Sequence, residues 1–235
     1  MRHYLLVDDN EAFAENLAEI LRDQGDDVTV ATSGEEALVE VRACRFDALL
    51  TDMRMPVMGG AELVHHVRAI DPGLPAIVAT AYTGDEELRI AREEGLLAVL
   101  QKPVPVPTLL GLLSSAKRDG MVVLVEDDEL LADNLTEALR SAGFTAVSAH
   151  TVAETERLRV VRPFAALVDL RVPGGPDGAA MRRLRERFPR LPQVVITAHD
   201  VSAADAGAVR IFRKPFATAE LLAELARLYR AQEAA

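Results

Sequence analysis

Short runs of branched and apolar residues alternate along the chain with stretches in which apolar side chains recur every three or four positions. The first pattern predicts buried strands, the second amphipathic helices. In the first half, strands are expected at about Tyr4–Val7, Val28–Ala31, Ala48–Thr51, Ala76–Thr80 and Ala98–Gln101. The first helix is expected to bury a face of Phe13, Leu17, Ile20 and Leu21 and to stop near Gly25. The second opens on a capping box, Ser33 with Glu36, and the pattern returns as Thr151 with Glu154. Such alternation builds a parallel sheet packed between helices.

The whole pattern then runs again. Val7-Asp8-Asp9-Asn10-Glu11 recurs 118 positions later as Val125-Glu126-Asp127-Asp128-Glu129, and the same offset carries Asn16-Leu17 onto Asn134-Leu135 and Gly25 onto Gly143. Phe46 to Asp52 reappears, one residue shorter, as Phe164 to Asp169. Arg54 and Pro56 match Arg171 and Pro173, Ala79-Thr80-Ala81 matches Ile196-Thr197-Ala198, and Lys102-Pro103 matches Lys214-Pro215. A repeat of this length predicts two α/β domains, residues 1–118 and 119–235. Each is expected to be a flavodoxin-like doubly wound (βα)5 domain with a parallel five-stranded sheet in the order 2-1-3-4-5. Only Ser114 to Gly120 separates them, so they are expected to be held close. Twenty-two positions lead from Thr80 to Lys102 but 17 from Thr197 to Lys214, which predicts a shortened fourth helix in the second domain, around Ser202 to Gly207.

Composition narrows the function classes. The 49% hydrophobic and 27% charged content is that of a globular chain rather than a disordered one. No apolar run approaches the ~20 residues of a membrane span, and the chain reaches Asp8 and Asp9 too early for a secretory signal, so a cytoplasmic protein is expected. The single Cys44 cannot build an internal disulfide and is expected as a small packed residue on a helix. A net charge of −11 and a pI near 5.0 argue against a nucleic-acid surface. Arg182-Arg183-Leu184-Arg185 beside Glu186 reads as a solvated helix face, and so does His65-His66.

The repeated polar residues fall where strands end: Asp8 and Asp9, Asp52, Thr80 and Lys102 in one copy, Glu126 and Asp127, Asp169, Thr197 and Lys214 in the other. In a doubly wound sheet those ends form the ligand crevice. Three carboxylates at ~4 Å in an effective dielectric near 20 repel by about 4 kcal/mol per pair. A divalent cation removes that cost, and an all-oxygen set suits Mg²⁺. Asp52 and Asp169 are then the nucleophiles for a phosphoryl group, the lysines its counter-charges and the threonines hydroxyl donors.

These residues resemble the receiver domain of two-component response regulators over nearly the whole chain. The resemblance implies that Asp8 and Asp9 are the acidic pair, Asp52 the phosphoacceptor, Thr80 the switch hydroxyl and Lys102 the phosphate-sensing lysine. It assigns the same roles to Glu126 and Asp127, Asp169, Thr197 and Lys214. It implies cis Lys102-Pro103 and Lys214-Pro215 bonds, a sensor histidine kinase or phosphotransfer protein as donor, and a downstream protein target. Its usual pairing face is helix four, strand five and helix five, which leaves any homodimer to the first domain.

The chain also departs from the family. Where receivers carry an aromatic three residues before the lysine, this chain has Val99 and Ile211, with Phe212 one position late and expected in the core. Arg54 with Tyr82, and Arg171 with His199, occupy positions that in the family influence access of hydrolytic water. After Phe216 only one helix, bearing Leu221, Leu222, Leu225 and Leu228, fits before Ala235, so no DNA-binding output domain is expected and signalling falls to protein contacts. Chemistry beyond Mg²⁺-dependent self-phosphorylation and autodephosphorylation is not expected. Two other readings stand beside this one: a pair in which one receiver is an inert binding scaffold, and a phosphatase of the haloacid-dehalogenase type. The latter wants a second acid two residues after its nucleophile, where Arg54 and Arg171 stand.

Overall fold

The computed structural model describes residues 1–81, 86–199 and 207–234. Its strands are β1 (His3–Val7), β2 (Asp27–Ala31), β3 (Ala48–Asp52), β4 (Ala76–Thr80) and β5 (Ala98–Gln101), then β6 (Met121–Val125), β7 (Thr145–Ala149), β8 (Ala165–Asp169), β9 (Gln193–Thr197) and β10 (Arg210–Arg213). The helices among the described residues are α1 (Glu11–Asp23), α2 (Gly34–Ala43), α3 (Gly60–Ile70), α4 (Glu86–Glu93), α5 (Val106–Ser115), α6 (Glu129–Ser141), α7 (Val152–Arg157), α8 (Ala179–Arg187) and α9 (Thr218–Glu233). The shortened helix expected around Ser202, and Tyr82, lie outside the described residues.

The strands form two wholly parallel sheets, β2-β1-β3-β4-β5 and β7-β6-β8-β9-β10, the doubly wound order expected twice over. The chain divides into two compact units, Met1–Asp119 and Gly120–Ala235. Central strands are buried on both faces, which explains their unbroken apolar runs. In the first unit Leu5, Val7, Leu49 and Val78 face one cluster, with Leu63, Val64 and Leu88. Tyr4, Leu6, Leu50 and Ile77 face the other, with Leu17, Leu21 and Leu109.

Helix termini follow the predicted chemistry with one variation. Ser33 Oγ accepts from the Glu36 amide at 3.2 Å, but the Glu36 carboxylate reaches back to the amide of Thr32 rather than that of Ser33. Thr151, Glu154 and His150 repeat that arrangement. Gly25 and Gly143 end α1 and α6 at φ +88° and +83°, a conformation a side chain would resist.

Three expectations need correction. Helix α1 buries Ala14, Leu17, Ala18 and Leu21, and Ile20 is left 37% exposed because the i, i+3, i+4, i+7 stripe passes beside it. Cys44 is exposed, since it caps α2 where the chain turns away toward β3. The Phe46–Phe164 match is one of sequence only. Ala48 pairs with Tyr4 as Ala165 pairs with Val122, so Phe164 takes the place of Asp47. A one-residue shift reverses the face: Phe46 joins the Leu5 cluster, whereas Phe164 stacks on Phe144 at 5.7 Å beside Tyr229.

Among the described residues no helix is long and apolar enough to cross a membrane.

Candidate functional site: an acidic cluster with a lysine, built twice

Asp8 directly follows β1, and its amide bonds Ala31 O at 3.2 Å while its Oδ1 accepts from the Asn10 amide at 2.9 Å. Asn10 in turn caps α1 by accepting from Phe13 N at 3.1 Å. The acidic pair is thereby clamped between a strand end and a helix start. Asp8 is buried and Asp9 exposed. Asp52 ends β3, the next strand in the sheet. One oxygen from each of Asp8, Asp9 and Asp52 lies within 4.8 Å of the others.

Lys102 follows β5 and is positioned by its amide, which donates to Thr80 O at 2.8 Å, and by a cis bond to Pro103. Its ammonium lies 2.7 Å from Asp8 Oδ2, 3.0 Å from Asp52 Oδ1 and 4.9 Å from the Phe13 ring centroid. Burial pushes the Asp52 carboxyl above the ordinary range, against the opposing pull of Lys102. Burial disfavours the Lys102 charge, yet the bonds to Asp8 and Asp52 outweigh it and raise its pKa. Thr80, the buried last residue of β4, is placed next to Lys102 in the chain's hydrogen-bonding.

The second unit repeats the construction with a longer acid. Glu126 N bonds Ala149 O at 3.0 Å, and Glu126 Oε1 accepts from Asp128 N, the cap of α6, at 3.3 Å. Glu126, Asp127 and Asp169 again bring one oxygen each within 4.8 Å. Lys214, after a cis bond to Pro215, places its ammonium 2.8 and 2.7 Å from the two Glu126 oxygens and 2.6 Å from Asp169 Oδ2. Glu126 is fully buried, and that burial raises its pKa despite Lys214. Asp169 Oδ1 accepts from Arg171 N at 3.0 Å, and buried Thr197 accepts from His199 N at 3.2 Å.

Each cluster thus holds three carboxylates and one ammonium, a formal charge of −2 when all are ionised. Ligand oxygens around an octahedral Mg²⁺ lie roughly 3 to 4.2 Å apart, so the grouping fits such an ion with small side-chain movements.

The response regulator receiver domain profile matches residues 4–114 and again 122–226. The chain belongs to this family. A response regulator receiver protein of Anaeromyxobacter sp. (strain Fw109-5) is 63% identical over 231 residues, covering 98% of this chain and 96% of that one. The transcriptional regulatory protein ZraR of Escherichia coli (strain K12) is 36% identical over 112 residues, 48% of this chain and 25% of that protein. Among solved structures, the chemotaxis response regulator CheY4 of Vibrio cholerae covers 48% of this chain and 97% of its own, with 34% identity and a TM-score of 0.45.

Some placements were not legible beforehand. Val99 and Ile211, where receivers carry an aromatic, are half-buried and pack against their cores, and Phe212 is buried as expected. Phe13 contributes the ring under Lys102, which its place in the first turn after the acidic pair could have signalled. Gly60 lies so close to the backbone of Asp52 that a Cβ there would stand 2.3 Å from Asp52 O. Arg171 directs its guanidinium to Asp177 at 3.0 Å. His65 and His66 are solvated, although His65 Nδ1 also meets Glu94 Oε1 at 2.9 Å.

Proposed function

We propose that the chain accepts phosphoryl groups on Asp52 and Asp169 from a histidine kinase or phosphotransfer protein, and passes the signal on through protein–protein contacts. The observation that carries this reading is the lysine-bridged acidic cluster, present at the same strand ends of both units. The three carboxylates of each cluster (Asp8, Asp9 and Asp52, or Glu126, Asp127 and Asp169) would hold Mg²⁺, which when bound offsets charge on a phosphoryl oxygen.

In the transfer, an Asp52 carboxylate oxygen forms a bond to phosphorus as the bond to the donor imidazole nitrogen breaks, and the imidazole leaves with its electron pair. Lys102 exchanges its contact with Asp52 for a phosphoryl oxygen, a charge-assisted bond that stabilises the product. The Thr80 hydroxyl donates a further bond. Glu126, Asp127, Asp169, Thr197 and Lys214 take the same parts in the second unit. In this reading the chemistry is self-phosphorylation on the aspartate and its later hydrolysis, in which water attacks the aspartyl phosphate and inorganic phosphate leaves. With a net charge of −11, the chain is an unfavourable partner for nucleic acid.

One observation favours a second reading for the Gly120–Ala235 unit. Lys214 engages three carboxylate oxygens there, against two for Lys102, and Glu126 is fully shielded from solvent. A more tightly closed site suits a receiver that binds partners without being phosphorylated.

Intact mass after incubation with Mg²⁺ and a small-molecule phosphodonor separates the readings. Two phosphoryl increments, one lost in Asp52→Ala and the other in Asp169→Ala, support two working acceptors. One increment, lost only in Asp52→Ala, supports the scaffold reading. No labelling by any donor, a kinase included, removes the phosphoacceptor assignment.

A further inference from the structure

The loop that leaves β3 after Asp52 carries a residue in a conformation its side chain resists. Val57 has φ +68°, in the left-handed region, and the Met58 amide donates to Pro56 O at 2.8 Å across it. A bond between residues two apart over a positive φ is the rare, strained form of γ-turn. Among the described residues the other non-glycine residue with positive φ is Asp119, of a type that tolerates it, whereas a β-branched residue there is an outlier. Packing does not offset the strain, because Val57 is 91% exposed.

The rest of the loop is anchored. Met55 and Met58 are half-buried against the Leu5 cluster. A Cβ on Gly34, at the start of α2, would stand 2.7 Å from Met58 Sδ, so the thioether lies directly against that glycine. The Gly60 amide closes the loop on Met53 O at 2.9 Å. Val57 is three residues from Gly60 and so within about 11 Å of it, and Gly60 abuts the backbone of Asp52. The loop thus turns its two methionines inward and holds the valine out beside the strand end that bears Asp52.

The second unit makes the same turn without a side chain. Gly174 stands where Val57 does, five residues after the aspartate, at φ +100°. The anchoring sizes are exchanged as well: Val152 takes the place of Gly34 and Gly175 that of Met58. The Gly178 amide closes this loop on Leu170 O at 2.8 Å, one residue later than Gly60 does. The added length carries Asp177, which pairs with Arg171 at 3.0 Å, both side chains being exposed.

We propose that Val57 is a specificity-determining contact for the protein that delivers a phosphoryl group to Asp52, meeting an apolar side chain beside that protein's phosphohistidine. The proposal rests on the reading of Asp52 as a phosphoacceptor. A donor protein has to bring its histidine to the strand end where Asp52 lies, and in doing so it covers the tip of this loop. A small phosphodonor reaches Asp52 without covering it. Burying the isopropyl group removes apolar surface from water, and a turn already fixed by its anchors loses little freedom on docking. In the second unit the same approach meets glycine and an ion pair, so a donor fitted to Val57 favours Asp52 over Asp169. Glycine or asparagine would make the turn with less strain; only an apolar contact requires the valine.

The test compares the full chain with Val57→Gly and Val57→Asn, which suit a positive φ, and with Val57→Leu, which keeps the tip apolar. Phosphorylated histidine kinases and phosphotransfer proteins are supplied one at a time, acetyl phosphate with Mg²⁺ serves as the small donor, and peptide mapping follows Asp52 and Asp169 separately. A donor protein that labels Asp52 in the parent is expected to label the glycine and asparagine variants about tenfold or more slowly. Val57→Leu is expected to stay near the parent rate, and acetyl phosphate to label Asp52 alike in every form. Neither slow variant is expected to have a lower thermal midpoint than the parent. The proposal falls if the donor labels every form equally, or if Val57→Leu is slowed as much as Val57→Gly. It also falls if acetyl phosphate is slowed in step with the donor, which would make Val57 part of the shape of the site. Sedimentation in which the parent pairs and Val57→Gly does not would make a second copy the occupant and overturn it too. Labelling of Asp52 by acetyl phosphate but by no donor protein overturns this inference and leaves the acceptor assignment standing, whereas no labelling of Asp52 by any donor removes both.

Discussion

The ammonium of Lys214 lies 2.6 Å from Asp169 Oδ2, and the same atom bonds both oxygens of the buried Glu126. Replacing it removes the only lysine of the cluster and leaves carboxylates facing one another. Lys214→Met is expected to lower the stability of the second unit by about 2 kcal/mol, less than the ~3–5 of a fully buried pair because the lysine keeps 22% of its side chain exposed. Added Mg²⁺ is expected to restore part of the loss. Urea unfolding with and without the ion measures both effects, and a loss near zero would show the lysine to be a surface charge.

The raised pKa of Asp52, caused first by burial, fixes the sign of a pH effect. Between the ordinary carboxylate value of about 4 and the raised folded value, the folded chain holds more protons than the unfolded one. Stability therefore falls as pH rises through that window. Asp52→Asn cannot ionise, so it is expected to be more stable than the parent at about pH 7 without metal, with the advantage fading as pH falls through the window. In the first unit, Mg²⁺ is expected to stabilise the parent and not the variant, by about 1.4 kcal/mol at ten times its dissociation constant, while the second unit responds alike in both. Unfolding midpoints over a pH series decide it.

Gly60 begins α3, and its amide donates to Met53 O at 2.9 Å. A methyl group there would press on backbone atoms, Asp52 O at 2.3 Å and Met53 Cα at 3.1 Å, which no rotamer change can relieve. Gly60→Ala is expected to cost about 1–3 kcal/mol and to slow phosphoryl labelling of Asp52 while leaving Asp169 unaffected. Peptide mapping after phosphodonor treatment resolves the two sites.

The sheets, their order and the placement of five polar residues at the strand ends of each unit were legible because they depend on period-two and period-3.6 patterns and on a repeat. What escaped reading depends on register and on distant packing. Ile20 and the true α1 stripe differ by a fraction of a turn, and the one-residue deletion ahead of β8 could be placed only once Ala165 was seen opposite Val122. Arg68 is the clearest case. Its composition signals a surface, yet it continues the Ala61, Val64 spacing of the buried face of α3.

That arginine carries its own expectation. It is 4% exposed, and its guanidinium donates to Glu94 O at 3.0 Å, Gly95 O at 2.6 Å and Leu74 O, tying the end of α4 to the loop before β4. Burial lowers its pKa to about 10. Arg68→Met is expected to cost about 3 kcal/mol or more through the stranded carbonyls, and Arg68→Lys to recover little because an ammonium cannot span three acceptors in one plane. Thermal unfolding of both variants measures this.

The exposed Cys44 gives the molecule an address. It is the single thiol in the chain, and it stands at the strand-start end of the first unit, about 16 Å along β3 from Asp52. One maleimide dye will therefore mark one domain of a near-duplicate pair, so that a fluorescence change on phosphodonor addition can be ascribed to the copy that carries it.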